Sequence, residues 1–332
     1  MSTRRLLAVV VLVPLLAALA LWAFAWPAAR TAPRDLPLGV AGPAAATTQM
    51  EKQLRQHAGA FEIHRYADEK AARAAIEDRT VYGAVVVTTQ GPELLTASAA
   101  SPVVAQLLQQ AVTRQAAAGG AEVSGAEVRT VDVVPAPASD PRGAALSSSV
   151  LPLALSGIVA GAVVTLLGLR GVRAVTALIV AAALVGLIAA VLAHSWLGVL
   201  TGNWWAEAGT LALATLAVSA AVAGLAALAG QAGIGAVAFL VMFLGNPFSG
   251  AASAPQLLPE PVGAIGQWLP PGASATLLRS VSFFDGAAAT GPALTLTWWA
   301  ALGLGAVALG NALKSRPKDA APAAERALTP IG

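Results

Sequence analysis

The chain has 332 residues, 57% of them hydrophobic and 11% charged, where an ordinary soluble protein carries about 25% charged residues. The net charge of +3 arises at the chain ends and in one short loop, so no basic patch for nucleic acid is formed. No cysteine is present, which excludes disulfides, thiol catalysis and cysteine metal sites.

Charge is distributed very unevenly. Residues 27–148 hold eleven Lys/Arg and twelve Asp/Glu, whereas residues 149–313 hold only Arg170, Arg173, Glu207, Glu260, Arg279 and Asp285. Six charges cannot cover a water-facing surface of that length, so lipid is the expected solvent there. In chain order, Arg4 and Arg5 precede an apolar run from Leu6 to Trp26, roughly 31 Å as a helix. The run is longer than the apolar part of a signal peptide and reads as an uncleaved anchor over 1–26, despite the small-x-small pattern at Ala23–Ala25.

Residues 27–148 read as a water-soluble α/β domain. Strands are predicted at Leu36–Ala41, Phe61–Tyr66, Tyr82–Thr88, Leu94–Ser98 and Glu127–Val134. Helices are predicted at Ala44–His57, at Asp68–Asp78 with Asp68 as N-cap, and at Ser101–Ala118, closed by Gly119-Gly120. The order βαβαββαβ suggests two or three layers. A linker with Pro135, Pro137 and Pro141 leads back to the membrane.

Five further spans are predicted, at Val150–Leu169, Val172–Ala193, Ala206–Ala229, Ala232–Ser249 and Pro292–Leu313. The fold class is thus a membrane all-α bundle of six transmembrane helices, with an extracytoplasmic α/β domain inserted between helices 1 and 2. Arg4/Arg5, Arg170/Arg173 and Lys314, Arg316 and Lys318 all face the cytoplasm if the spans alternate, which puts both termini inside and residues 27–148 outside a plasma membrane. All eight tryptophans then fall towards the outer interface. Residues 314–332 read as a disordered cytoplasmic tail.

Residues 245–291 form neither a span nor an ordinary loop. Six prolines break an apolar segment, and irregular backbone cannot face lipid, so the segment is expected at the interface or re-entering protein. Val262–Trp268 and Ala273–Phe283 read as short helices joined by a Pro270-Pro271-Gly272 turn. Asn246, Pro247, Pro270, Pro271, Arg279 and Asp285 are the candidate residues of an outer gate, with Arg279 and Asp285 able to pair. A passive cap is the plainer reading. Gly157 and Gly161 form a GxxxG pair. His194 and Glu207 are expected to snorkel at span ends.

No phosphate loop, HExxH, GxSxG or Cys/His cluster occurs, so no enzyme activity, cofactor or metal is expected. The pattern of one span, an outer α/β domain and five spans resembles the type-2 ATP-binding-cassette permeases, in particular the phage-infection-protein (YhgE/Pip) branch. LPLGVAG (36–42) and DEKAARAAIEDRTVYGAVVV (68–87) carry that resemblance in the outer domain, and 245–286 is similar to a stretch of actinobacterial members. The resemblance implies a homodimeric permease half, driven by a separate ATPase subunit, with a gate before the last span. The apolar bundle suits lipophilic or amphipathic cargo. The competing expectation is a non-transporting receptor, scaffold or secretion accessory that works through its outer domain.

Overall fold

The computed structural model describes residues 3–55, 59–88, 91–118 and 129–314. The expected endings at His57 and Gly119-Gly120, the first two residues of the strand expected at Glu127–Val134, and the tail from Ser315 lie outside the described residues. Helix α1 (Thr3–Ala29) is followed by β1 (Leu36–Ala41), α2 (Ala44–Leu54), β2 (Phe61–Tyr66), α3 (Glu69–Glu77), β3 (Gly83–Thr88), β4 (Gly91–Thr96), α4 (Pro102–Ala118) and β5 (Arg129–Asp132). This is the order read from the periodicity.

The sheet runs β2-β1-β3-β4-β5. β1 is parallel to β2 and β3, β3 is antiparallel to β4, and β4 is parallel to β5. Its central strands are buried on both sides, as the unbroken apolar run of β3 requires. The Asp68 side chain caps α3 by accepting from the Ala71 amide at 2.8 Å. α3 lays Ala72 and Ile76 on one face, against Ala84, Val86 and Leu95. α4 lays Val104 and Leu108 on the other, against Leu36, Leu38, Val85 and Leu94, with Met50 and Leu54 of α2 beside them. Helices on both faces make three layers.

The remaining long helices are α5 (Ala144–Leu166), α6 (Gly171–Ala190), α7 (Trp204–Ala229), α8 (Gln231–Phe239) and, after two shorter helices described below, α11 (Thr290–Lys314). α6 runs on through a π-helical stretch, Val191–Trp196, and α8 through another, Leu240–Gly245. α7 is the axis of the bundle. Gly157 and Gly161 of α5 press on Val218 and Val222, Gly186 of α6 on Ala208 and Ala212, and Gly303 of α11 on Ala220. Any Cβ at these glycines would meet an α7 atom at 2.7 Å or less, so the small residues set the helix spacing.

Among the described residues five helices, not the expected six, are long and apolar enough to cross a membrane. The fifth expected span is α8 with its π-helical extension, Gln231–Gly245, roughly 22 Å long and short of a bilayer core. Val237 and Val241 pack on Val218 and Val222, and the helix stops where Gly245 meets Pro271. Trp299 packs on Val218, roughly 21 Å along α7 from Trp204, and its indole donates to the Trp268 carbonyl at 2.8 Å. That bond satisfies the indole N–H within the protein.

Candidate functional site

The segment between α8 and α11 folds back into the end of the bundle nearest the sheet. It contains a short 3-10 turn (Pro255–Leu257), α9 (Val262–Gln267) and α10 (Pro270–Phe283). Pro270 and Pro271 do not form a turn between helices. They are the first two residues of α10, where the missing N–H costs nothing and the fixed φ suits a helix. The turn is Trp268-Leu269 instead, with the Leu269 amide donating to Gly266.

α10 is buried along nearly its whole length. Ala273 and Leu277 pack on Ala214, Ala217 and Leu296, so its first turn reaches roughly 20 Å along α7 from Trp204. Glycines let the chain pass itself here. A Cβ at Gly263 would lie 2.1 Å from the Pro255 carbonyl oxygen, and one at Gly272 2.2 Å from that of Gly266. Polar side chains bind the turns together. Gln267 Nε2 donates to the Ser249 carbonyl at 3.0 Å, and Thr276 Oγ1 donates to Gln267 Oε1 at 2.6 Å.

Both ends of this plug enter the sheet region. Leu257 is fully buried in the core formed by Leu36, Leu38, Val85 and Leu94, on the α4 face. Phe284 is buried in the opposite core, with Ala72, Ile76 and Leu95. Three further ties hold the junction. Arg34 Nη1 donates to the Leu257 carbonyl at 2.9 Å, and Tyr82 Oη to Gln256 Oε1 at 2.8 Å. Arg79, in the left-handed conformation at φ 59°, donates to the Thr276 carbonyl at 3.0 Å and to Ser280 Oγ, its guanidinium 5.2 Å from the centre of the Phe284 ring. Burial lowers the Arg79 pKa and raises that of Tyr82.

The candidate gate residues separate into two groups. Pro271 touches Gly245, which brings Pro270 and Pro271 beside the α8 end that carries Asn246 and Pro247. Arg279 lies further along α10, 6% exposed, with Nη2 donating to the Ala251 carbonyl. It does not pair with Asp285, which is exposed beyond the helix at φ 48°. The Ala251 carbonyl dipole takes the hydrogen bond that the carboxylate was expected to take, without cancelling the charge.

Sequence reasoning missed a second polar centre. Glu207 is fully buried, and His194 Nδ1 lies 2.7 Å from its Oε2. Its Oε1 accepts from the Gly202 amide at 2.8 Å. Neither residue snorkels. The π-helical stretch of α6 carries His194 around to Glu207, and the pair anchors the loop between α6 and α7 against Val281 and Ser282 of α10. The available signal was Asn203, an N-cap four residues before a carboxylate that reaches back to a free amide. Among the described residues no group of three His, Asp or Glu is placed to hold a metal.

A family model described as ABC-2 family transporter protein matches residues 4–310. No curated protein and no solved structure matches the chain significantly. The matched range takes in the first helix, the sheet region, the plug and the helices around α7, and the chain belongs to the ABC-2 transporter family, the membrane components of ATP-binding-cassette transporters.

Proposed function

We propose that this protein is the permease half of an export transporter, acting as a homodimer driven by a separate ATPase subunit, with lipophilic or amphipathic cargo. The observation that carries the reading is the plug, whose buried helix α10 stops one end of the bundle and whose two ends, at Leu257 and Phe284, are pinned to opposite faces of the sheet. In this proposal α8 with its π-helical end serves as a shortened fifth crossing of six, and the plug completes it. Asn246, Pro247, Pro270 and Pro271 form the hinge of an outer gate, and Arg279 and Asp285 its upper end. Arg170 and Arg173, exposed at the far end, favour cytoplasmic termini and an extracytoplasmic sheet region in a plasma membrane. A cavity of about 120 Å³ at that end, bordered by Leu169, Arg170, Ala226 and Asn311, gives the ATPase a place to engage a bundle with short loops. Within the family, the phage-infection-protein branch is the group whose sequence pattern it follows.

The test uses the chain reconstituted with its ATPase. Hydrolysis that rises on adding the chain supports the reading. A Gly245→Cys/Pro271→Cys pair should then stop cargo movement when oxidised and release it when reduced. An ATPase indifferent to the chain would sink the coupling, and a cross-linked plug that still transports would sink the gate.

A further inference from the structure

A cavity of about 460 Å³ lies between α5 and α6 at the sheet-side end of the bundle. Leu146, Pro152, Leu192 and Leu197 line its sides, and Leu211 and Leu278 form its floor. It opens between helices whose outer faces are bare hydrocarbon: Leu155 and Val159 on α5, Ile188 and Leu192 on α6 are all exposed. Water finds few partners in such a groove. The three serines on its wall offer no donor, because each hydroxyl donates to its own helix: Ser148 to Ala145, Ser149 to Leu146 and Ser156 to Pro152. The wall residues on α5 run from Ala145 to Ser156, roughly 16 Å, a length suited to an acyl chain lying along the helix.

The upper end of the groove has a different character. The turn before α5 is tied to the loop after α6, Ser139 Oγ donating to the Gly198 carbonyl. Val199 and Leu200 of that loop close the groove, and the turn carries Arg142, which is exposed and has no carboxylate within 4 Å among the described residues. The nearby Asp140 carboxylate is occupied in capping α5, accepting from the amides of Ala144 and Ala145 at 2.8 and 2.9 Å. An unpaired cation, Arg142, therefore stands in the turn that leads into α5, three residues before Ala145, the first wall residue of a hydrocarbon slot.

From this geometry we infer that the α5–α6 groove is a lipid site, holding one acyl chain of an anionic phospholipid from the adjoining leaflet, with the headgroup beside Arg142. A lipid tail gains nothing from leaving other tails. Selectivity must therefore come from the headgroup, and one arginine beside an anionic lipid gives about fivefold enrichment. The site stands whether or not the chain moves cargo.

The test places the full chain in phosphatidylcholine nanodiscs with a trace of phosphatidylglycerol carrying a photoactivatable diazirine on one acyl chain. Adducts should concentrate in residues 145–156 and 185–200, about fivefold over the exposed α11 face around Leu302. Ser149→Phe and Ala189→Phe fill the groove from opposite walls, and each should remove those adducts while leaving the α11 labelling unchanged. Arg142→Gln should remove the preference over a phosphatidylcholine probe. Even labelling of all lipid-facing helices, adducts that survive both phenylalanines, or equal labelling by the two probes on the unaltered chain would overturn the proposal. Two independent filling variants keep the result readable if one of them fails to fold.

Discussion

Leu257 belongs by sequence to the plug and by packing to the sheet, and Leu257→Ala tests whether the two form one body. The side chain is fully buried among Leu36, Leu38, Val85 and Leu94. Its loss removes three carbons, at about 0.8 kcal/mol each, before any cavity is counted. The neighbours sit on β1, β3, β4 and α4, whose ladder holds them apart, so the site cannot collapse and the total should reach about 3 kcal/mol. Amide hydrogen exchange on the full chain in detergent reads this directly. Protection in β1 and β3 should fall about a hundredfold. Leu94→Ala, equally buried, should do the same, and Leu228→Ala, half exposed on α7, should leave the sheet untouched. If Leu94→Ala opens the sheet and Leu257→Ala does not, the shared core does not exist and the coupling argument fails with it.

Gly303→Val should abolish the monodisperse folded form on size exclusion, because its Cβ meets the Ala220 backbone at 2.3 Å, while Gly305→Val, facing open space two residues on, should be tolerated. Glu207→Ala leaves the Gly202 amide and His194 without their acceptor and should cost about 3 kcal/mol in thermal unfolding; Glu207→Gln, which keeps an oxygen for Gly202, should recover part of it. Arg65 hydrogen-bonds Glu51, with one contact at 2.6 Å, and holds its carboxyl below the ordinary value. That contribution is complete above the unfolded carboxylate pKa of about 4.3 and is lost as pH falls through the lower folded value. Exchange protection in α2 and β2 should therefore drop below about pH 4, and Glu51→Gln should flatten this dependence.

Local chemistry made part of this legible beforehand. Asp68 at the head of α3, the β-branched run of β3 and the long apolar helices each carry their own signal, since capping, strand burial and lipid exposure act within one element. The errors came where a distant partner decides. Pro270-Pro271-Gly272 has the composition of a turn, and only the pocket formed by Gly245, Ala217 and Leu296 shows that a helix starts there. Glu207 looked like a residue bound for water because His194 is brought to it by a π-helical stretch that no periodicity announces. Leu257 and Phe284 were two apolar residues in an apolar segment, and nothing local marks them as members of opposite sheet cores.

Those two anchors also set a ruler. With Leu257 fastened on one side of the sheet and Phe284 on the other, the intervening chain has no slack, and its glycine crossings at Gly263, Gly266 and Gly272 are already at contact. Adding or removing even one residue between them would turn α10 by about 100°, swinging Leu277 off Ala214 and Arg279 off Ala251. Variation in length should therefore gather elsewhere, in exposed connections such as the turn between α5 and α6, while this stretch keeps its residue count even where its letters change.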